Sequence, residues 1–151
     1  MNVEGQKFEP VTPPFADGLK SLDPDGISWT ELCPGAYVKV LAVDEKNHCV
    51  DSLVKFEPNF IFNKHRHLAQ ACALVVEGEI RDVFSGEACN AGRWIVNPPG
   101  TVHQESSGPE GFVLLASVRG DSAELIEVLD DDGNVVQEVT VADYKAIYDN
   151  Q

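Results

Sequence analysis

Turn residues interrupt this chain too often for long helices to form. From Pro34-Gly35 onward, clusters of Gly, Pro, Asn and Asp recur about every eight to twelve residues, and the stretches between them are rich in Val, Leu, Ile and Phe. Ala36 to Val43 reads as a strand and Asp44-Glu45-Lys46-Asn47 as a hairpin turn. His48 to Phe56 returns, and Glu57-Pro58-Asn59 turns again. Further strands are predicted at Ala71 to Val76, Glu79 to Phe84, Arg93 to Val96, Thr101 to Glu105 and Phe112 to Val118. Glu77-Gly78 is an interruption in this reading, and 85–92 and 106–111 are loops. Glu124 to Leu129 and Val135 to Val139 flank Asp130-Asp131-Asp132-Gly133-Asn134, a hairpin signal. Only Val141 to Tyr148 reads as a helix, with Thr140 as its N-cap. The pattern predicts an all-β sandwich or barrel with a short C-terminal helix. Residues 1–18, rich in Pro and Gly, read as an N-terminal arm, and 19–151 as one domain.

The chemistry-bearing stretch is Lys64-His65-Arg66-His67, answered later by Pro98-Pro99-Gly100-Thr101-Val102-His103. Side chains two apart on a strand share a face, so His65 and His67 project together. His103 follows a turn and comes from another strand. Three imidazoles converging from two strands suit a divalent transition metal. By the same alternation Glu105 faces the way of His103. Glu105 suits proton acceptance or support of a histidine ring, or stands as a rim carboxylate. Arg81, just after Gly78, suits a substrate carbonyl or a surface pair with Asp82. His48 has no motif around it and reads as an exposed turn residue. Phe56, Phe60, Phe62, Phe84, Trp94 and Phe112 read as core, with some able to line an apolar pocket.

A formal net charge of −14 argues against nucleic acid and against anionic membrane surfaces as partners. The first residues lack a basic segment followed by an apolar one, and no apolar run reaches the length of a membrane span, so the expected location is cytoplasmic. The four cysteines, at positions 33, 49, 72 and 89, lack C-x-x-C spacing and read as reduced thiols, mostly buried; Cys72 lies near the histidines. The acidic run at Asp130 lacks the calcium-loop pattern and reads as a solvated turn.

Two segments resemble the motifs of the cupins, a double-stranded β-helix (jelly-roll) family. Gly92, Pro98, Gly100 and His103 reproduce the second motif's spacing, with Ser107 where the family has Asn. His65, His67 and Gly78 match the first motif, but Ala71 stands where its Glu belongs, with Gln70 adjacent. The resemblance implies a metal site of three histidines without that carboxylate. Within the cupins this resembles the acetylacetone-cleaving dioxygenases and the cysteine dioxygenases. Trp29, Pro34-Gly35 and Lys39, and the end from Val128 through Tyr144 and Tyr148, are similar to the acetylacetone-cleaving and 2,4′-dihydroxyacetophenone dioxygenases, over about residues 25 to 150.

That resemblance implies Fe(II) as cofactor, with Zn(II) or Ni(II) able to occupy the site in purified protein. The implied reaction is oxidative C–C cleavage of a small β-diketone or hydroxyketone, with O₂ as co-substrate. Two other readings stand beside it. One is a non-redox isomerase or lyase using the metal as a Lewis acid. The other is a metal-binding sensor like the cupin part of ChrR-type anti-sigma factors. An exchange of the N-terminal arms implies a homodimer.

Overall fold

The computed structural model describes residues 21–151. The arm at 1–18, and with it the arm-exchanged homodimer expected from it, lies outside the described residues. Eleven strands and one helix follow a 3₁₀ turn at Pro24–Gly26, whose first turn is capped by the Asp23 carboxylate accepting from Asp25 N. The opening strands are β1 (Thr30–Cys33), β2 (Ala36–Asp44), β3 (Cys49–Phe56) and β4 (His65–His67). The middle of the chain forms β5 (Gln70–Asp82), β6 (Ala88–Asn90), β7 (Trp94–Asn97), β8 (Val102–His103) and β9 (Glu105–Arg119). The chain closes with β10 (Glu124–Leu129), β11 (Val135–Thr140) and helix α1 (Val141–Asn150). The strands form two antiparallel sheets. One runs β1-β2-β3-β9-β5-β6, with β7 also on β5; the other runs β11-β10-β4-β8. This is the jelly roll that the turn spacing and the motif resemblance imply.

The apolar interior comes from alternation along the strands. Val38, Val40, Val43, Val50, Ala71, Val118 and Leu125 are buried in one cluster; Phe56, Val75, Ile80, Phe112 and Leu114 are buried in a second. Helix α1 closes the first cluster with Val141, Tyr144, Ile147 and Tyr148. Its start is a full capping box: Thr140 Oγ1 accepts from Asp143 N, and the Asp143 carboxylate accepts from Thr140 N at 2.7 Å. Near Trp29 the chain is tied down by Lys39, whose ammonium donates to Pro24 O at 2.8 Å and lies 4.8 Å from the Trp29 ring centroid. Trp29 and Lys39 thus fasten the entry of the chain to β2.

Three boundaries differ from the sequence reading. Glu77-Gly78 does not break a strand: β5 runs through it, with irregularities between Val75 and Glu77 and between Gly78 and Ile80. Gly78 adopts φ +74°, so the extra residue is absorbed as a bulge while pairing to β9 continues. The loop expected at 106–111 is also strand, because Ser106 and Ser107 pair with Arg81 and Ile80. Pro109 falls in the stretch between paired Ser107 and paired Phe112, where no ladder donor is needed. Within the loop expected at 85–92, three residues form β6. Ser107, which replaces the motif Asn, is buried; its hydroxyl donates to Glu57 O and accepts from Phe60 N at 2.9 Å, holding the chain that leads to the histidines.

Candidate metal centre

Strand β4 is only three residues long, yet it is paired on both sides. Ile126 and Val128 of β10 stand opposite His67 and His65, and His103 of β8 stands opposite His65 on the other edge. The Pro-Pro-Gly turn is locked to the same strand. Gly100 N donates to His67 O at 2.7 Å, and His67 N donates to Thr101 O at 2.8 Å. These bonds fix the register that sets His103 across from His65. The two motifs are therefore one hydrogen-bonded unit.

The three imidazoles converge as their spacing predicts. His103 Nε2 lies 2.8 Å from His65 Nε2 and 2.8 Å from His67 Nε2. His65 and His67 are 3% and 5% exposed. His65 Nδ1 lies 2.9 Å from Asn63 O, a carbonyl that can only accept, so that nitrogen carries the proton and Nε2 keeps its lone pair. Glu105 completes the group: its Oε1 is 3.3 Å from His103 Nε2, and one donor atom from each of the four residues lies within 4.8 Å of the others.

Electrostatics favour the neutral form of His67 and His103. Burial, then the neighbouring His65 and His103, push the His67 pKa down to about 3. Burial also lowers His103, against opposing pulls from Glu105 and Asp82. The single proton that a neutral His103 could carry on Nε2 serves at most one of its two ring neighbours at a time, so the cluster holds more nitrogen acceptors than it has protons to share without a cation. His65, His67, His103 and Glu105 would each offer one donor atom to a cation at that point. Nitrogen and oxygen donors of this kind fit a first-row divalent metal. His67 Nδ1 is buried without a partner, so the ring's second nitrogen lacks the acceptor that usually fixes a ligating histidine.

The set differs from the sequence expectation in one respect: a carboxylate is present. Ala71 does occupy the motif position, buried in the core of β5, and Gln70 is exposed, its amide donating to Cys72 Sγ at 3.6 Å. The carboxylate comes instead from Glu105, two residues past His103, where the chain passes from β8 to β9. Arg81 is not brought to the site. Its register partner is Ser106, so it faces the opposite way from Glu105, and it pairs at the surface with Glu79 rather than Asp82. Asp82, which the sequence reading left as a surface partner, is the register partner of Glu105. His48 is half-buried with φ +53°, in the turn before β3. All four cysteines are free and half-buried. An open cleft of about 630 Å³ borders Trp29, Tyr37, Lys55 and Phe112 but has no histidine in its wall. Among the described residues no helix is long and apolar enough to cross a membrane.

The low His67 pKa has a consequence for the metal-free protein. Between about pH 3 and the ordinary histidine value of 6.5, the unfolded chain binds a proton that the folded chain refuses. Stability is therefore present in full above the unfolded value and is lost as pH falls toward the folded one, at roughly 1.4 kcal/mol per pH unit for one such group. Thermal melts of metal-free protein in acidic buffers are expected to show this decline, and His67→Gln is expected to flatten it. An equal slope in the variant would place the decline on other groups.

Comparison with known proteins agrees with this architecture. The solved structures most similar in fold include an RmlC-like cupin from Ralstonia eutropha, with TM-score 0.78 and 21% identity over 88% of this chain and 86% of that one. A putative acetylacetone dioxygenase from Methylibium petroleiphilum superposes with TM-score 0.74 and 13% identity, over 91% of this chain and 99% of that one. An acetylacetone dioxygenase from Acinetobacter johnsonii gives 0.72 and 11%, over 92% and 95%. At these identities the likeness is one of fold. No curated protein sequence matches the chain. The profile of the ChrR cupin-like domain matches residues 19–123, which include both histidine motifs and Glu105. With more than half its length matched, and both histidine motifs inside the match, the chain belongs to the ChrR cupin-like family.

Proposed function

We propose that this chain is an Fe(II)-dependent dioxygenase that cleaves a C–C bond in a small β-diketone or hydroxyketone. The observation that carries the reading is the placement of Glu105: a carboxylate base and three neutral nitrogen donors share one focus. His65, His67 and His103 would hold the ion, with Glu105 in reach of it. A bound Fe(II) supplies a positive centre that favours the enolate and the electrons that O₂ requires. Glu105 receives the proton from the carbon between the two carbonyls, which turns the neutral ketone into its anionic, chelating form. One atom of O₂ ends in each product, giving a carboxylic acid and a second carbonyl fragment.

The chain's own apolar residues shape what enters. Phe62 stands edge-on to His65 with ring centroids 5.8 Å apart, and Phe56 links Phe62, Phe60 and Phe112 into one aromatic wall. A wall of this kind beside the histidines suits a substrate whose ends are short alkyl or aryl groups, and it excludes water from the enolate.

Protein loaded with one Fe(II) per chain is expected to consume O₂ with a 1,3-diketone in an oxygen electrode. Glu105→Gln is expected to lower turnover by about 10²- to 10⁴-fold, the usual range for a positioned base. Iron-loaded protein that consumes no O₂ with any diketone defeats the proposal. Glu105 also favours a second reading. A carboxylate donor lowers the charge at the centre and supplies a base that works without oxygen, as a metal-dependent isomerase or lyase needs. Turnover retained with Zn(II) under anaerobic conditions selects that reading.

A further inference from the structure

The four-donor cluster leaves one neighbouring side chain unexplained. Asp82 is the last residue of β5 and stands directly opposite Glu105 of β9. Directly opposed side chains on an antiparallel pair share a face, with Cβ atoms roughly 4.5–5.5 Å apart, and like charges in that position repel. Two carboxylates are thus set side by side at the edge of a three-histidine cluster. Only one of them, Glu105, is close enough to act as a ligand.

The two oxygens of Asp82 differ. Oδ2 accepts from Ser85 N at 2.9 Å and closes the tight turn that follows the strand. Oδ1 is sealed from solvent and has no hydrogen-bond partner. The turn's donors at Phe84 and Ser85 favour the charged carboxylate, yet none of them closes a hydrogen bond on Oδ1, and a buried carboxylate oxygen without a partner is costly unless a positive charge or a donor faces it. The nearby positive centre that this chain can offer is the cation site.

We propose that Asp82 is the second carboxylate of the metal centre, a positioning residue that acts through its cross-strand neighbour Glu105 and is not itself a ligand. The inference rests on the metal-centre reading and holds for either proposed reaction. Beside Glu105 it adds a second negative charge at the edge of the cluster, which would offset part of the charge of a dication. It therefore favours a divalent over a monovalent ion, and it balances the charge of a site whose motif carboxylate is replaced by Ala71.

Asp82→Asn separates this role from the turn. Asparagine keeps an oxygen to accept from Ser85 N and has nearly the same shape, but carries no charge. The probe is Co(II), titrated into metal-free protein and followed by its visible absorption, with thermal melts of the metal-free proteins alongside. In Asp82→Asn the Co(II) dissociation constant is expected to rise about 10- to 100-fold, the range for removing an outer partner of a metal site. The melting temperature of the metal-free protein is expected to hold or rise, because a like-charge opposition is removed. Asp82→Glu is expected to recover part of the affinity. Parent-like Co(II) affinity in Asp82→Asn overturns the role of Asp82 and leaves the metal centre standing. Failure of the parent itself to bind Co(II) overturns both.

Discussion

Replacing His67 by alanine is expected to abolish the metal-dependent part of this protein's stability while leaving the metal-free fold close to unchanged. An ion that binds only the folded state adds about 4 kcal/mol when present at a thousand times its dissociation constant. Loss of a ligand exceeds the loss of an outer partner, so affinity is expected to fall by more than about 100-fold and most of that gain disappears. The metal-free comparison has opposing terms. Alanine leaves a cavity among buried side chains, which destabilises. It also removes a buried ring whose Nδ1 has no partner, a feature that costs energy in the absence of an ion. Differential scanning calorimetry with and without Zn(II) reads both terms. A parent-sized Zn(II) shift in the variant would mean that the ion binds elsewhere.

The contrast between these two states explains why the histidines could be read from sequence and some of their neighbours could not. His65 and His67 are two apart, and strand geometry alone places them together. His103 needs only a turn that returns the chain to the same strand, and Pro98 through Thr101 provides it with bonds to His67 at both ends. Glu105 follows from the same period-two rule, although strict alternation does not reveal that the strand changes sheets between His103 and Glu105. Asp82 is different in kind. Its place depends on the register between β5 and β9, and that register is shifted twice by bulges, between Val75 and Glu77 and between Gly78 and Ile80. A shift of one residue would exchange Asp82 for Arg81 on the inner face. The sequence leaves Arg81 open between a substrate contact and a surface pair, because nothing in it shows the second bulge that turns Arg81 outward. The run from Ser106 to Gly111 failed for a related reason: Ser, Gly and Pro signal a loop by composition, while the partner strand that keeps it extended lies far away in sequence.

The same bulged crossing carries the largest expected loss of stability. Gly78 is left-handed at φ +74°, and a Cβ there would lie 2.0 Å from Gly111 O and 2.9 Å from Phe112 Cα. The obstacle is backbone, which cannot swing aside as a side chain can. Gly111 is itself left-handed at φ +73°, and its own Cβ would meet Phe56 O at 2.4 Å. Three strands, β5, β9 and β3, therefore close on each other through two glycines. Gly78→Ala combines about 1–2 kcal/mol for the left-handed backbone with a clash that only strand separation relieves, a total of roughly 3–5 kcal/mol. For a chain of this length that is a fall of about 10 °C or more in melting temperature. Gly133→Ala is the control. It shares the left-handed backbone at φ +88° but has nothing within 4 Å of the added carbon, so only the smaller backbone cost applies. Since the crossing sets where Asp82 and Glu105 stand, any Gly78→Ala protein that does fold is also expected to bind Co(II) more weakly, whereas Gly133→Ala binds as the parent does. Equal melting temperatures for the two variants would show that the strands have room to part at Gly78 and that the crossing does not hold the carboxylates in place.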